Sequence, residues 1–205
     1  AVEVPAAIFG GDDAVYNSLV KARKNGISLA AVCSLDGAAI AKKAGMKLCA
    51  LPGTNIFNTF SLDEFAHLGF TDAILSTELK IAQCASLGGK LPRGVFAYGR
   101  LPLMQTRNCP VKNGTTCDKC RKHGSLTDRM GVTFPVECTP FASTLLNSVP
   151  IVESDKREQF GFADFSLLWF TTETKDECEK ILESYRRGDA PQGEFTRGLL
   201  YRGVE

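Results

Sequence analysis

The sequence predicts an α/β fold: a partial, TIM-barrel-like parallel sheet with a cysteine-rich metal loop and a short β-containing C-terminal part. Three observations predict it. Apolar runs with little polar alternation recur through the first hundred residues, as expected of strands buried on both faces. Segments of helical length separate them, which is the pattern of right-handed crossover units. After Tyr98 the composition turns to Pro, Gly, Thr and Cys until about residue 140.

The run VPAAIF reads as the first strand, followed by Gly10 and Gly11. Asp12 is expected to cap a helix whose Val15, Leu19 and Ala22 face one way and which Gly26 ends. SLAAVCS is the next strand and AAIAKKAG the next helix. MKLCALPG, TDAILS and RGVFAYG are further strands, separated by the helical SLDEFAHLG and LKIAQCASLGG. Short β-like pieces are expected from Phe134 to Val152, and ADFSLLWF is another buried strand. Thr174 with Glu177 forms a capping box that opens the final helix, KDECEKILESYRRG, ending at Gly188. Five or six parallel strands fit an incomplete barrel better than a closed one. The organisation expected is βα repeats over 1–100, a metal-binding loop over 101–140, and the last strands, helix and tail over 141–205.

A chain of 205 residues with 44 % hydrophobic content is one ordinary domain or most of one. Its 24 basic and 23 acidic residues exclude a whole-surface attraction for nucleic acid, leaving a local basic patch in the cysteine segment. No apolar run approaches membrane-spanning length, so no membrane partner is expected. Eight cysteines without an apolar signal segment point to a reducing cytoplasm. The chain begins at Ala1 and enters a strand almost at once, so it is expected to be an excised part of a longer protein.

Four cysteines, Cys109, Cys117, Cys120 and Cys138, crowd into one stretch. The Cys-Asp-Lys-Cys step closes a tight turn that aims two thiolates at one ion. Four thiolates suit tetrahedral zinc or an iron–sulfur cube. Either centre carries a net charge of about −2, and Arg107, Lys112, Lys119, Arg121, Lys122 and Arg129 are at hand to offset it. His123 is an alternative donor for one thiolate. A pair of disulfides, disfavoured by the expected compartment, or four unrelated thiols are the competing readings. Cys33, Cys49, Cys84 and Cys178 fall on strands or helix faces and read as packing thiols, with Cys33 near the end of its strand.

In parallel α/β architectures chemistry gathers where strands end. Asn55 and Asn58 follow the third strand, Ser76 and Glu78 the fourth, and Tyr98 and Arg100 the fifth, so all are expected on one face. Ordinary turn chemistry is the alternative for each.

The segment VFAYGRLPLMQTRNCP resembles peptidase family U-32, the collagenase-like peptidases, and the resemblance continues through LTDRMGVTFPV, LLNSVPI and FTRGLLYRGVE. Upstream, NIFN and LSTEL are similar to the family's barrel-strand motifs. The resemblance implies a barrel-like domain in which Cys109, Cys117, Cys120 and Cys138 ligate a [4Fe–4S] cluster. It also implies oxygen-independent hydroxylation of RNA bases or of a small aromatic substrate, with Arg100, Arg129 and Arg197 as anion-binding groups. The chain departs from the family at Leu168-Trp169, where an Arg is common, and at Leu199, where a His is common.

Peptide hydrolysis, as the family name has it, finds neither an HExxH helix nor a nucleophile-elbow motif, and the only histidines are His67 and His123. A zinc closed by four thiolates lacks the open position that hydrolysis requires. The leading expectation is therefore an iron–sulfur enzyme acting on RNA or a small anionic or aromatic substrate. A zinc-stabilised interaction module, self-associating through an exposed barrel edge, is the alternative of a different class.

Overall fold

The computed structural model describes residues 1–120 and 122–203, and at His123 the backbone alone. In chain order the elements are β1 (Val2–Glu3), α1 (Asp12–Lys24), β2 (Leu29–Val32), α2 (Leu35–Lys43), β3 (Lys47–Ala50), α3 (Thr59–His67), β4 (Phe70–Ile74), α4 (Ile81–Ser86) and β5 (Arg93–Gly99). They continue with β6 (Pro102–Thr106), α5 (Cys117–Cys120), β7 (His123–Thr127), β8 (Thr133–Cys138), β9 (Ser143–Leu146), β10 (Ile151–Val152), β11 (Phe165–Trp169) and α6 (Lys175–Arg187). Short 3₁₀ turns occupy Pro52–Thr54 and Ser154–Phe160. Two compact units emerge. One comprises Ala1–Phe96, Glu158–Leu167 and the stretch from Gly198 onward; the other comprises Ala97–Arg157 and Leu168–Arg197.

The first unit is the α/β half that the sequence predicts. β1, β2, β3, β4 and β5 lie side by side in that order, every pairing parallel, as in part of a barrel. Small and branched residues such as Ala30, Val32, Leu48 and Ala50 fill the strands and are buried. The helices close the unit by burying one stripe each, Val15 and Leu19 from α1 and Leu62 from α3. Ile74 at the end of β4 and Ile56, Leu75 and Leu79 beyond the strand ends complete the core.

Three local expectations are corrected here. The first strand is Val2–Glu3 rather than VPAAIF. Val4 still donates its N–H to Ala31 O at 2.9 Å, but Pro5 has no N–H to continue the ladder. Asp12 is the first helical residue of α1, not its cap, and acts with Asp13 by placing negative charge at the helix N-terminus. α2 begins earlier than AAIAKKAG because the Ser34 hydroxyl accepts the Gly37 N–H at 3.2 Å and caps it.

In the second unit the end of β5 pairs with β10, antiparallel, through Ile151↔Gly99 and Val152↔Tyr98. α6 has the expected capping box of Thr174 and Glu177 and ends at Gly188 with φ +80°. Its Tyr185 ties the unit together, donating to Ala97 O at 2.5 Å and accepting the Glu153 N–H at 2.8 Å. The same unit holds a separate four-stranded antiparallel sheet, ordered β6-β9-β8-β7.

That sheet replaces the long loop expected over 101–140. β7 and β8 form a hairpin closed at Asp128, whose carboxylate accepts the N–H groups of Met130 and Val132 at 2.8 and 2.9 Å. Gly131 takes the left-handed conformation at φ +84° that this turn needs. Among the described residues no helix is long and apolar enough to cross a membrane.

Gly94 in β5 is closely packed between ring and aliphatic side chains of the first unit. A Cβ there would stand 2.6 Å from the Phe165 ring and 2.8 Å from the Ile74 side chain. Gly94→Ala is therefore expected to destabilise the protein by roughly 1–3 kcal/mol through overpacking. Urea denaturation would show this as a lower midpoint, and an unchanged midpoint would contradict the packing described.

Candidate metal centre

The register of the four-stranded sheet brings the cysteines to one end. Thr106 at the end of β6 pairs with Ser143 at the start of β9, and Ser143 pairs with Cys138 at the end of β8. Beside them, Glu137 pairs with the first residue of β7. Cys109 follows β6 by a few residues, and Cys120 precedes β7 by as few. Four strand ends therefore deliver the thiols to one edge.

The segment between β6 and β7 is held by short local bonds. Lys112 N–H reaches Cys109 O at 3.3 Å, and Gly114 N–H reaches Val111 O at 3.0 Å. Cys120 N–H reaches Thr116 O at 2.8 Å, which closes the single turn of α5. Val111 is buried beneath this segment. A Cβ at Gly124 would lie 2.8 Å from Val111 and 3.2 Å from Cys120 Sγ, so glycine is what leaves both their room.

Cys138 is the meeting point. Its thiol contacts the Ser143 hydroxyl at 3.6 Å. Burial pushes the Cys138 thiol up from its ordinary value; Ser143 opposes the rise, and the two neighbouring thiols add to it. Cys117 sits one turn before Cys120 and is exposed. All four cysteines are free thiols, so the disulfide reading does not describe this structure.

As a donor set, four free thiols are of the type that a thiolate-bound centre uses. Among the described residues, however, no group of three or more His, Cys, Asp or Glu side chains is already arranged as a cage. Ligation by all four would require Cys117 to turn inward. Arg121, expected among the cations, and the imidazole of His123, weighed as a donor, lie outside the described residues.

Arg107, Lys112, Lys119 and Lys122 are exposed along the cysteine segment. Arg129 is not beside them. It lies in the turn after β7, at the far end of a hairpin whose opposite end carries Cys138, roughly 13 Å or more away by strand rise.

Among the strand-end residues of the first unit, Asn55, Ser76 and Glu78 do come together. Ser76 is buried and donates to Asn55 Oδ1 at 2.5 Å, while its hydroxyl accepts the Glu78 N–H at 3.3 Å. Asn55 is left-handed at φ +50°. Asn58 instead caps α3, accepting the Ser61 N–H at 2.8 Å, which is the ordinary turn chemistry weighed against its functional reading.

Tyr98, Arg100 and Arg197 belong to the second unit. Tyr98 is buried and donates to Glu173 at 2.9 Å; burial first, and then that carboxylate, push its phenol up. Arg100 donates to the carbonyls of Asn147 and Ser148 and to the Thr172 hydroxyl, so it braces β-strand connections. Arg197 bonds Val152 O at 2.7 Å and pairs with Glu153 at 3.0 Å and Asp155 at 2.7 Å.

Sequence reasoning missed Glu153, whose carboxylate is fully buried, and Tyr185, whose hydroxyl accepts the Glu153 N–H. The available signal was an acid directly following a short apolar strand, VPIVE. Cys33, Cys49 and Cys84 are buried as expected, and burial pushes their thiols up to about 12, 11 and 11. No protein-family model, curated protein or solved structure matches the chain.

The Arg197 cluster yields a pH prediction. The hydrogen bond from Arg197 holds the Asp155 carboxyl below its ordinary value. A depressed carboxyl stabilises the folded chain above the unfolded value of about 4 and ceases to do so as pH falls through its folded value. Asp155→Asn is therefore expected to be less stable than the parent at neutral pH, with the gap closing below about pH 4. Urea titrations across that range test it; a gap constant with pH would count against the ion pair. Arg197→Ala, which strips Glu153 of its cation, is expected to cost on the order of 3 kcal/mol.

Proposed function

We propose that this chain is a peptidase-U-32-type iron–sulfur enzyme, or the cluster-bearing part of one, that modifies RNA or a small aromatic or anionic substrate. The observation that carries the reading is the strand register, which places Cys138 and the segments bearing Cys109 and Cys120 at one end of the antiparallel sheet. Cys117 is the fourth donor, one helical turn from Cys120. When bound, a [4Fe–4S] cluster held by four thiolates supplies one-electron transfer, since full cysteine ligation leaves no vacant iron.

The chain's own groups have definable roles in this reading. Ser143 offers a hydroxyl to Cys138 and steadies its sulfur as a thiolate. Gly124 keeps space beside Cys120. The exposed Arg107, Lys112, Lys119 and Lys122 offset the negative charge of the ligated centre and present donors to a phosphate or carboxylate. Asn55, Ser76 and Glu78 form a polar cluster at the strand ends of the first unit, suited to hydrogen-bonding a ligand there.

A second reading is zinc held by the same thiolates as a structural staple. It is favoured by the sheet itself, in which β6 leaves Pro102, Leu103, Met104 and Gln105 exposed. A sheet that buries so little of an edge strand gains from a metal cross-link.

Purification without oxygen separates the two. The iron–sulfur reading expects broad absorbance near ~400 nm and about four irons and four sulfides per chain. Changing Cys109, Cys117, Cys120 or Cys138 singly to Ser is expected to lower the iron content, while Cys84→Ser leaves it unchanged. Colourless protein with about one zinc per chain would overturn the enzyme reading in favour of the staple. Protein that takes up neither metal would overturn both.

A further inference from the structure

We infer that the first unit carries a docking surface for the sugar–phosphate backbone of RNA, made by Lys21, Arg23, Lys24, Lys42, Lys43 and Lys47 where α1 and α2 end and β3 begins. The choice of RNA as the polyanion rests on the RNA branch of the proposed function. The surface itself involves neither the cysteines nor any metal they hold.

The chain concentrates charge here. Between Asp13 and Asp63 it places these six basic residues and a single acid, Asp36. Asp36 is in the first turn of α2 and Lys42 and Lys43 are in its last, about 9 Å away by helical rise. Lys21, Arg23 and Lys24 occupy the last turn of α1, and all six residues are exposed.

Side-chain contacts bring these ends together. Arg23 donates to Ala44 O at the end of α2 at 3.4 Å, and a side chain at Gly45 would collide with its guanidinium. Lys42 donates to Leu68 O at the end of α3 at 3.0 Å. Lys43 stands 5.2 Å from the centre of the Tyr16 ring in α1. Lys47 opens β3 and gives its N–H to Ser28 O at 2.8 Å, a few residues after α1 ends.

Helix capping accounts for part of the pattern, because a cation near the last carbonyls offsets the helix dipole. Arg23 and Lys42 serve the ends of α2 and α3 in this way. Among the described residues, the Lys21, Lys24 and Lys47 side chains make no hydrogen bond or ion pair. On the adjoining α3 and β4, Asp63 lies against Gly89, Glu64 is 3.6 Å from His67, and Asp72 accepts the Thr71 hydroxyl at 2.7 Å. Three lysines are therefore left to an outside anion.

The form of the surface selects the partner. Packed helices stand 8–10 Å apart, so cations on two helix ends that reach a third extend over roughly 15–20 Å. One small anion covers little of that, whereas a polymer with a phosphate at every residue meets several cations at once and releases counterions. A membrane would need apolar groups to insert, and Ile27 and Leu68 at this end are only 36 % and 38 % exposed. The Tyr16 ring is taken by Lys43, so no base stacks on it and binding is independent of sequence. Lys47 opens β3 while Asn55 and Ser76 follow β3 and β4, so the surface lies at the opposite strand ends from that polar cluster. It anchors a polymer and does not hold the reacting group.

Fluorescence anisotropy of labelled oligoadenylate and oligouridylate with the full chain tests this, at salt from about 50 to about 200 mM. Both RNAs are expected to bind, with affinity falling steeply across that range. The triple change Lys21→Ala, Lys24→Ala and Lys47→Ala leaves Arg23 and Lys42 on their carbonyls, so its urea midpoint is expected to match the parent's. It should weaken binding on the order of tenfold at low salt and flatten the slope of log affinity against log salt by about 2. Lys21→Arg, Lys24→Arg and Lys47→Arg together are expected to retain binding.

Parent-like affinity and slope in the triple alanine variant would overturn the proposal. So would binding to only one of the two RNAs, or binding to vesicles of phosphatidylcholine and phosphatidylserine in place of RNA. A loss confined to Arg107→Ala, Lys112→Ala, Lys119→Ala and Lys122→Ala would put the RNA on the cysteine segment, sinking this surface and sparing the proposed function. Binding that depends on the three lysines in a chain that takes up neither iron nor zinc would do the reverse.

Discussion

Antiparallel pairing fixes which residues share a row, and the row Thr106–Ser143–Cys138 governs what the second unit can do. A slip of one residue in β8 would turn Cys138 to the opposite face of the sheet, away from the Ser143 hydroxyl and the other thiols. Several features hold the register. The Asp128 turn sets the β7–β8 pairing, and an irregularity between Pro102 and Met104 marks where β6 adjusts to β9. The cysteines themselves sit on segments that contribute little core, with Val111, Val136, Ala142 and Leu146 as the apolar groups buried around them. The metal centre proposed for these cysteines would therefore add to the sheet as much as the sheet adds to the site.

A different solution holds the rest of the second unit. Glu153 is buried directly after β10, where an isolated carboxylate would be costly. Arg197 supplies the opposite charge, with Asp155 on its other side, and Tyr185 accepts the Glu153 backbone N–H. The same phenol donates to Ala97 in β5. One tyrosine thus links β5, β10 and α6, which explains why burial pushes its phenol up rather than leaving it a surface group. The parallel bridge between Ile151 and Thr196 brings Arg197 into place, so backbone pairing and ion pairing reinforce each other.

The first half of the fold was legible because its signals are local. Continuous apolar strands, small residues and Gly-terminated helices each follow from a few neighbouring residues, and the α6 capping box is a four-residue pattern. The β7–β8 hairpin was hidden by its own chemistry: Pro135 lies inside β8, and Asp128 to Gly131 read as generic loop composition. The crowding of four cysteines was legible in the sequence, but the sheet whose end their segments share was not, because pairing β6 with β9 is a long-range choice. The arginines were least legible. Arg100 and Arg197 occupy motif positions, yet their partners, the Asn147 and Ser148 carbonyls and the Glu153 and Asp155 carboxylates, come from distant sequence.

Those partners decide which cations are available to an anionic ligand. Drawing Arg197 away would leave Glu153 buried without its charge partner, a penalty of several kcal/mol that a surface contact does not repay. Drawing Arg100 away would unfasten two carbonyls and the Thr172 hydroxyl. Arg107, Lys112, Lys119 and Lys122 are exposed and carry no such penalty. An anion is therefore met with least reorganisation along the cysteine segment, not at the motif arginines. Exposed cations act weakly one by one and are screened by salt. Their joint attraction favours an anion along the cysteine segment, and discrimination among anions must then come from groups of fixed geometry.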